Sequence, residues 1–105
     1  MSFLRACALG DLQEDVPKRV ELNGVPVALV RTDEGVFAIN DICSHANVSL
    51  SEGEVEDCMI ECWLHGSSFD LRSGKPSGLP ATKPVAVYPV KIEGDDVLVS
   101  VNQES

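Results

Sequence analysis

Short apolar and β-branched runs, each bounded by a turn signal, account for both ends of this chain. Lys18-Arg19-Val20-Glu21-Leu22 leads through Asn23-Gly24 into Val25-Pro26-Val27-Ala28-Leu29-Val30-Arg31. Asn-Gly is the pair that favours a two-residue hairpin turn, so two antiparallel strands are expected here. Asp33-Glu34-Gly35 turns the chain again into Val36-Phe37-Ala38-Ile39, the third strand of a meander. Near the other end, Ala86-Val87-Tyr88-Pro89-Val90-Lys91-Ile92 reads as a strand with an edge or bulge at Pro89, because proline lacks the N–H a ladder needs. Glu93-Gly94-Asp95-Asp96 turns into Val97-Leu98-Val99-Ser100-Val101. Residues 2–8 supply one more strand, and 102–105 are expected to be a polar, frayed tail. A helical period is missing from every stretch longer than a turn or two, and only Asp11 to Asp15 has room for one short turn. The pattern predicts an all-β protein.

The middle third differs. From Asp41 to about Pro84 the chain is rich in Gly, Ser and Pro, with two short strand candidates: Val55 to Cys62, broken at Asp57, and Ser68-Phe69-Asp70-Leu71. Loops held by a rigid scaffold are where ligands usually bind. The expected layout is one domain over residues 1–105. A β base spans 1–40 and 85–105, with a loop-rich binding unit inserted over about 41–84. A chain of 105 residues supports one modest core.

Composition narrows the function class. Apolar residues make up 44%, and no run approaches the roughly 20 apolar residues of a membrane span. Met1-Ser2-Phe3-Leu4-Arg5 lacks the features of a signal peptide, so a cytoplasmic location is expected. In that compartment four cysteines do not predict a disulfide scaffold. The formal charge of −9 argues against nucleic acid and anionic membrane surfaces, both of which reward basic patches. It suits transient docking to a basic partner surface, although acidity also serves plain solubility.

The chemistry gathers in Cys43-Ser44-His45 and Cys62-Trp63-Leu64-His65, which are separated by 16 residues and contain both histidines of the chain. Two thiolates and two imidazoles suit an iron–sulfur cluster or zinc. Zinc is the commoner partner of a Cys₂His₂ set, but zinc fingers pair like ligands in C-x₂₋₄-C and H-x₃₋₅-H. Here each short loop carries one of each, as a dinuclear centre clamped from both sides would require.

These residues, with Gly66, Phe69-Asp70, the Gly74 turn, Gly78-Leu79-Pro80-Ala81 and the closing strands, resemble Rieske-type [2Fe–2S] ferredoxins over essentially the whole chain. The resemblance implies the Rieske fold, an antiparallel three-sheet sandwich or incomplete barrel with an inserted cluster-binding subdomain. It implies Cys43 and Cys62 on the inner iron and His45 and His65 on the outer, exposed one. It further places the loop around Pro80 over the cluster, and Ser67 as a hydrogen-bond donor to a bridging sulfide. Trp63, between two ligands, is expected to pack beside the cluster loop. The Rieske proteins of respiratory and photosynthetic complexes add a disulfide between the cluster loops. Val48 and Leu64 stand at those positions here, and Phe69 stands where their tyrosine would be. Both departures point to the intermediate-to-low part of a range spanning roughly −150 to +300 mV.

A cluster that uses both histidines leaves none for the mononuclear iron of an oxygenase. The chain also shows no G-x-G-x-x-G nucleotide fingerprint. What remains is an electron carrier, not an enzyme. The resemblance implies a flavin-dependent ferredoxin reductase as donor and a terminal oxygenase of an aromatic-ring-hydroxylating system, or another redox protein, as acceptor. Service in iron–sulfur assembly, a nitrite reductase small subunit and a structural zinc protein are the alternatives. Histidine ligation predicts a midpoint that falls as pH rises through the imidazole pKa values; a midpoint flat from about pH 6 to 10 counts against it. Outside the motif, Cys7 and Cys58 are expected to fill buried space. Asp70 is expected to fix a turn, Tyr88 to pack in the base, and Ser44 and Ser49 to face water.

Overall fold

The computed structural model describes residues 3–42, 48–63, 68–76 and 84–101, so the expected tail at 102–105 lies outside the described residues. In chain order the strands are β1 (Leu4–Ala8), β2 (Lys18–Leu22), β3 (Val25–Thr32), β4 (Gly35–Asn40) and β5 (Val55–Glu56). They continue with β6 (Met59–Glu61), β7 (Ser68–Asp70), β8 (Val87–Tyr88), β9 (Val90–Glu93) and β10 (Asp96–Val99). Among the described residues every pairing between these strands is antiparallel, in three sheets ordered β1-β10-β9, β2-β3-β4-β8 and β5-β6-β7.

The turns follow from their residues. Asn23 and Gly24 take φ of 55° and 82°, the left-handed pair that a two-residue hairpin needs to match strand twist. The β2–β3 register, Leu22 opposite Val25, follows directly. Asp57 and Cys58 do the same with φ of 56° and 62°, joining β5 to β6 at the break expected near Asp57. Two short helical turns are present among the described residues, one at Leu9–Asp11, just before the expected Asp11–Asp15, and an unexpected one at Leu50–Glu52. At the first, Asp11 Oδ2 accepts the Ala8 N–H, and the Leu12 N–H returns to Leu9 O at 3.1 Å, while Asp15 has turned left-handed at φ 61°.

One expected strand becomes two. The run Ala86 to Ile92 splits at Pro89, with β8 closing the edge of the central sheet and β9 joining β10 in another. Pro89 cannot donate to a ladder, but its carbonyl accepts the Ser100 N–H at 3.1 Å and ties the crossing point to the chain beyond β10.

The central sheet is covered on both faces. Along β3, Val27, Ala28, Leu29 and Val30 are all fully buried. Val27 and Leu29 point into one core with Cys7, Tyr88, Val97 and Val99 from the base. Ala28 and Val30 point into a second with Ile60, Cys62, Phe69 and Leu71 from the inserted unit. A strand buried on both faces reads as an unbroken apolar run, which Val25 to Val30 nearly is. Each large apolar side chain buried this way stabilises the fold by about 1.5–3 kcal/mol.

Candidate metal centre

Three chain segments begin and end against the second core. The first follows Ile42, which bridges to Ser49. The second lies between β6 and β7, where Glu61 pairs with Ser68. The third follows Pro76, which bridges to Phe69, and its far side is held by the Val85 N–H on Gly74 O at 2.9 Å. Leu50, Cys62, Phe69 and Val85, from the flanks of all three, are buried together. The fold thus brings stretches far apart in the chain to one place.

Two glycines make that convergence possible. A Cβ on Gly53 would collide with the backbone carbonyl of Glu61, so the approach of the first segment to β6 requires glycine. Gly74 has φ 77°, and a Cβ there would collide with the Val85 carbonyl and come within 2.9 Å of Val87 Cγ2.

Of the expected ligands, Cys43, His45 and His65 lie outside the described residues, as do Ser67 and Pro80. Cys62 is described. It follows β6 directly, is fully buried beside Ile60 and Phe69, and forms no disulfide. The next residue, Trp63, is half-exposed at 50%, and the loop it is expected to pack beside lies outside the described residues. Side chains on β6 alternate between core and solvent, and Trp63 falls on the outward phase with Met59 and Glu61. Cys62 therefore presents a buried thiol immediately beside a half-exposed residue.

The surroundings are orderly. Asp70 Oδ1 accepts the Arg72 N–H at 2.7 Å, and the Asp70 carbonyl accepts the Gly74 N–H at 2.7 Å, so Asp70 fixes the turn as expected. The hydrogen bond from the Arg72 N–H, opposed by slight burial and helped by the Arg72 charge, holds the Asp70 carboxyl below the usual carboxylate range. Tyr88 is buried, and its hydroxyl accepts from Asn40 Nδ2 at 3.0 Å. Cys7 and Cys58 are free and buried in different cores. Burial raises both thiol pKa values.

One constellation had no signal in the sequence. Asp41 is fully buried. Its Oδ2 accepts from Arg19 Nη1 at 3.1 Å and its Oδ1 accepts the Ser51 N–H at 2.8 Å. Arg19 Nη1 also reaches Ser49 Oγ at 3.0 Å, so Ser49 does not simply face water.

The family model for the Rieske [2Fe–2S] domain matches residues 2–89. The chain belongs to that family, as one of its ferredoxins: an electron-transfer protein whose cofactor is a Rieske-type [2Fe–2S] cluster. It is 42% identical to the 3-phenylpropionate/cinnamic acid dioxygenase ferredoxin subunit of Escherichia coli (strain K12), over 96% of this chain and 95% of that one. Among solved structures it resembles the ferredoxin of carbazole 1,9a-dioxygenase from Nocardioides aromaticivorans IC177. That match has a TM-score of 0.91 and 36% identity, and covers 95% of this chain and 98% of the other. A ferredoxin solved in complex with the oxygenase of carbazole 1,9a-dioxygenase is similar at a TM-score of 0.90 and 34% identity, over 98% of this chain and 96% of that one. No helix among the described residues is long and apolar enough to cross a membrane.

Proposed function

We propose that this chain is the ferredoxin of an aromatic-ring dioxygenase system, receiving single electrons from a flavin-dependent reductase and delivering them to a terminal oxygenase. The full-length likeness to ferredoxins of such systems, one of them solved with its oxygenase, supports the reading. When bound, the cluster supplies one-electron exchange at an iron centre near the surface. Cys43 and Cys62 would supply its thiolate ligands, and His45 and His65 its imidazole ligands. Ser67 would donate a hydrogen bond toward it, and the stretch around Pro80 would shield it from water. The observation that carries this arrangement is the step from fully buried Cys62 to half-exposed Trp63 within one residue. That step sets a sulfur donor in the core directly beside a residue that faces solvent, which supports the reading.

The chain works as one domain, with residues 1–40 and 85–105 as a scaffold for the unit at about 41–84, in the cytoplasm. Two of the three sheets, β1-β10-β9 and β2-β3-β4-β8, come from the scaffold ranges, and β5-β6-β7 comes from the inserted unit.

Protein produced with ample iron and sulfide is expected to be coloured, and to gain a rhombic electron paramagnetic resonance signal on reduction. Cys62→Ser and Cys43→Ser should lose both colour and signal. In a mixture with a flavin reductase, NADH and an aromatic-ring dioxygenase, ring hydroxylation should depend on this protein. Purified material that holds a single zinc ion and no iron defeats the cluster assignment. A loaded cluster that reductases reduce but no ring dioxygenase oxidises moves the protein to another redox pathway, such as iron–sulfur assembly.

A further inference from the structure

Among the described residues, Asp41 is the one acidic or basic side chain removed entirely from solvent, and it precedes Cys43 by two positions. A buried charge is expensive unless it is paired and hydrogen-bonded, so its retention calls for a reason. The contacts supply one. The Asp41 N–H donates to Pro26 O on β3 at 3.1 Å, and its carbonyl accepts the Leu50 N–H at 2.6 Å. One carboxylate oxygen takes the Ser51 N–H, and the other takes Arg19 of β2. Arg19 in turn holds Ser49 and, through Nη2, Glu21 at 3.2 Å. Asp41 therefore joins the two ends of the first ligand segment to each other and ties both to the central sheet.

The same atoms set a local field. Two residues of extended chain span at most about 7 Å, so the Asp41 and Cys43 Cα atoms are no farther apart than that. Charges separated by protein interior interact far more strongly than charges in water. We propose that the Arg19–Asp41 pair is a positioning device that also sets the cluster potential: Asp41 braces the first ligand segment, and Arg19 cancels the charge that the brace brings next to the iron. This rests on the assignment of Cys43 and His45 as ligands.

The two halves of the pair make opposite predictions. Arg19→Gln leaves a carboxylate uncompensated, which disfavours the added electron and lowers the midpoint. Asp41→Asn keeps an oxygen to accept the Ser51 N–H but leaves the guanidinium uncompensated, which raises it. At fixed potential each variant should change the ratio of oxidised to reduced protein several-fold, up to about tenfold, or 59 mV for one electron. Arg19→Lys, which restores the charge, should return the midpoint to that of the parent protein. Asp96→Asn at the exposed Arg5–Asp96 pair, 2.9 Å long on the far sheet, should change the ratio less than about twofold.

A purely structural role would move Arg19→Gln and Asp41→Asn in the same direction or leave both unmoved, and either result overturns the proposal. If Asp41→Asn does not fold, Arg19→Gln against Arg19→Lys decides. Equal midpoints sink the idea, and a lowered value in the glutamine variant alone supports it. Cys43→Ser separates this from failure of the ligand assignment, because a cluster retained in that variant condemns the assignment and not the field.

Discussion

Gly74 shows how one residue holds a segment in place. Its left-handed φ of 77° and its contact with the Val85 carbonyl leave no room for a side chain, and its own carbonyl anchors Val85. Gly74→Ala must either strain the backbone or push Val85 away, at a cost of about 1–3 kcal/mol. A lower melting temperature with faster cluster loss is expected, and a melting temperature equal to the parent's refutes it. Asp70, which closes the same turn, links stability to pH. Its folded-state pKa is depressed, so its contribution is complete above the ordinary carboxylate value and is lost as pH falls through the lowered one. Asp70→Asn should therefore flatten the acid limb of the stability profile below about pH 4 and leave the neutral region's slope unchanged. A limb as steep as the parent's contradicts this.

Elements divide the labour between scaffold and site. β7 carries Phe69, fully buried against Cys62, Leu50 and Val85 and so in contact with the flanks of all three segments. Phe69→Ala should cost about 3–5 kcal/mol through lost burial and the remaining cavity. For a domain of this size that lowers the melting point by more than about 12 °C. The loss should be larger than for Val20→Ala on the half-buried face of β2; comparable losses would show that the second core is not the keystone. Pro89 divides labour differently. By ending β8 it lets one apolar run serve two sheets, which an uninterrupted strand would not do.

Across the whole molecule, charge and exposure are arranged unevenly. The net charge is −9. Glu54, Glu56, Asp57 and Glu61 line a shallow concavity of about 260 Å³ beside Met59 and Ser68, and none of them joins an ion pair among the described residues. Trp63 continues that outward face one step beyond Glu61. Such a surface steers a basic partner at long range and offers an aromatic anchor at contact. Raising ionic strength from about 0.01 to 1 M contracts the screening length from roughly 30 to 3 Å. The second-order rate of electron transfer from the reductase should then fall tenfold or more. Trp63→Ala should weaken docking by about 2 kcal/mol, roughly thirtyfold in Kd, with the cluster spectrum intact. A salt-independent rate and an unchanged Kd together would remove this face from the docking surface.

Much of this protein is written in local signals. Asn23-Gly24 dictates its hairpin because few other pairs tolerate two left-handed residues, and the C-x-H and C-x-x-H spacing points to the proposed ligand set because donors must be near one another to share a centre. The doubly buried β3 was legible in its near-continuous apolar run. Other features had no such signal. Nothing near Asp57-Cys58 announces a left-handed cysteine, since glycine is the usual occupant, and the split at Pro89 depends on two sheets being there to receive its halves. Asp41 looks like any polar loop residue until Arg19, 22 positions earlier, is folded against it. Turn chemistry, and the donor pattern behind the proposed ligand set, are properties of neighbours in sequence, so the chain alone carries them. Which charge is buried, and what cancels it, depends on contacts between distant strands, and only the assembled sheets decide it.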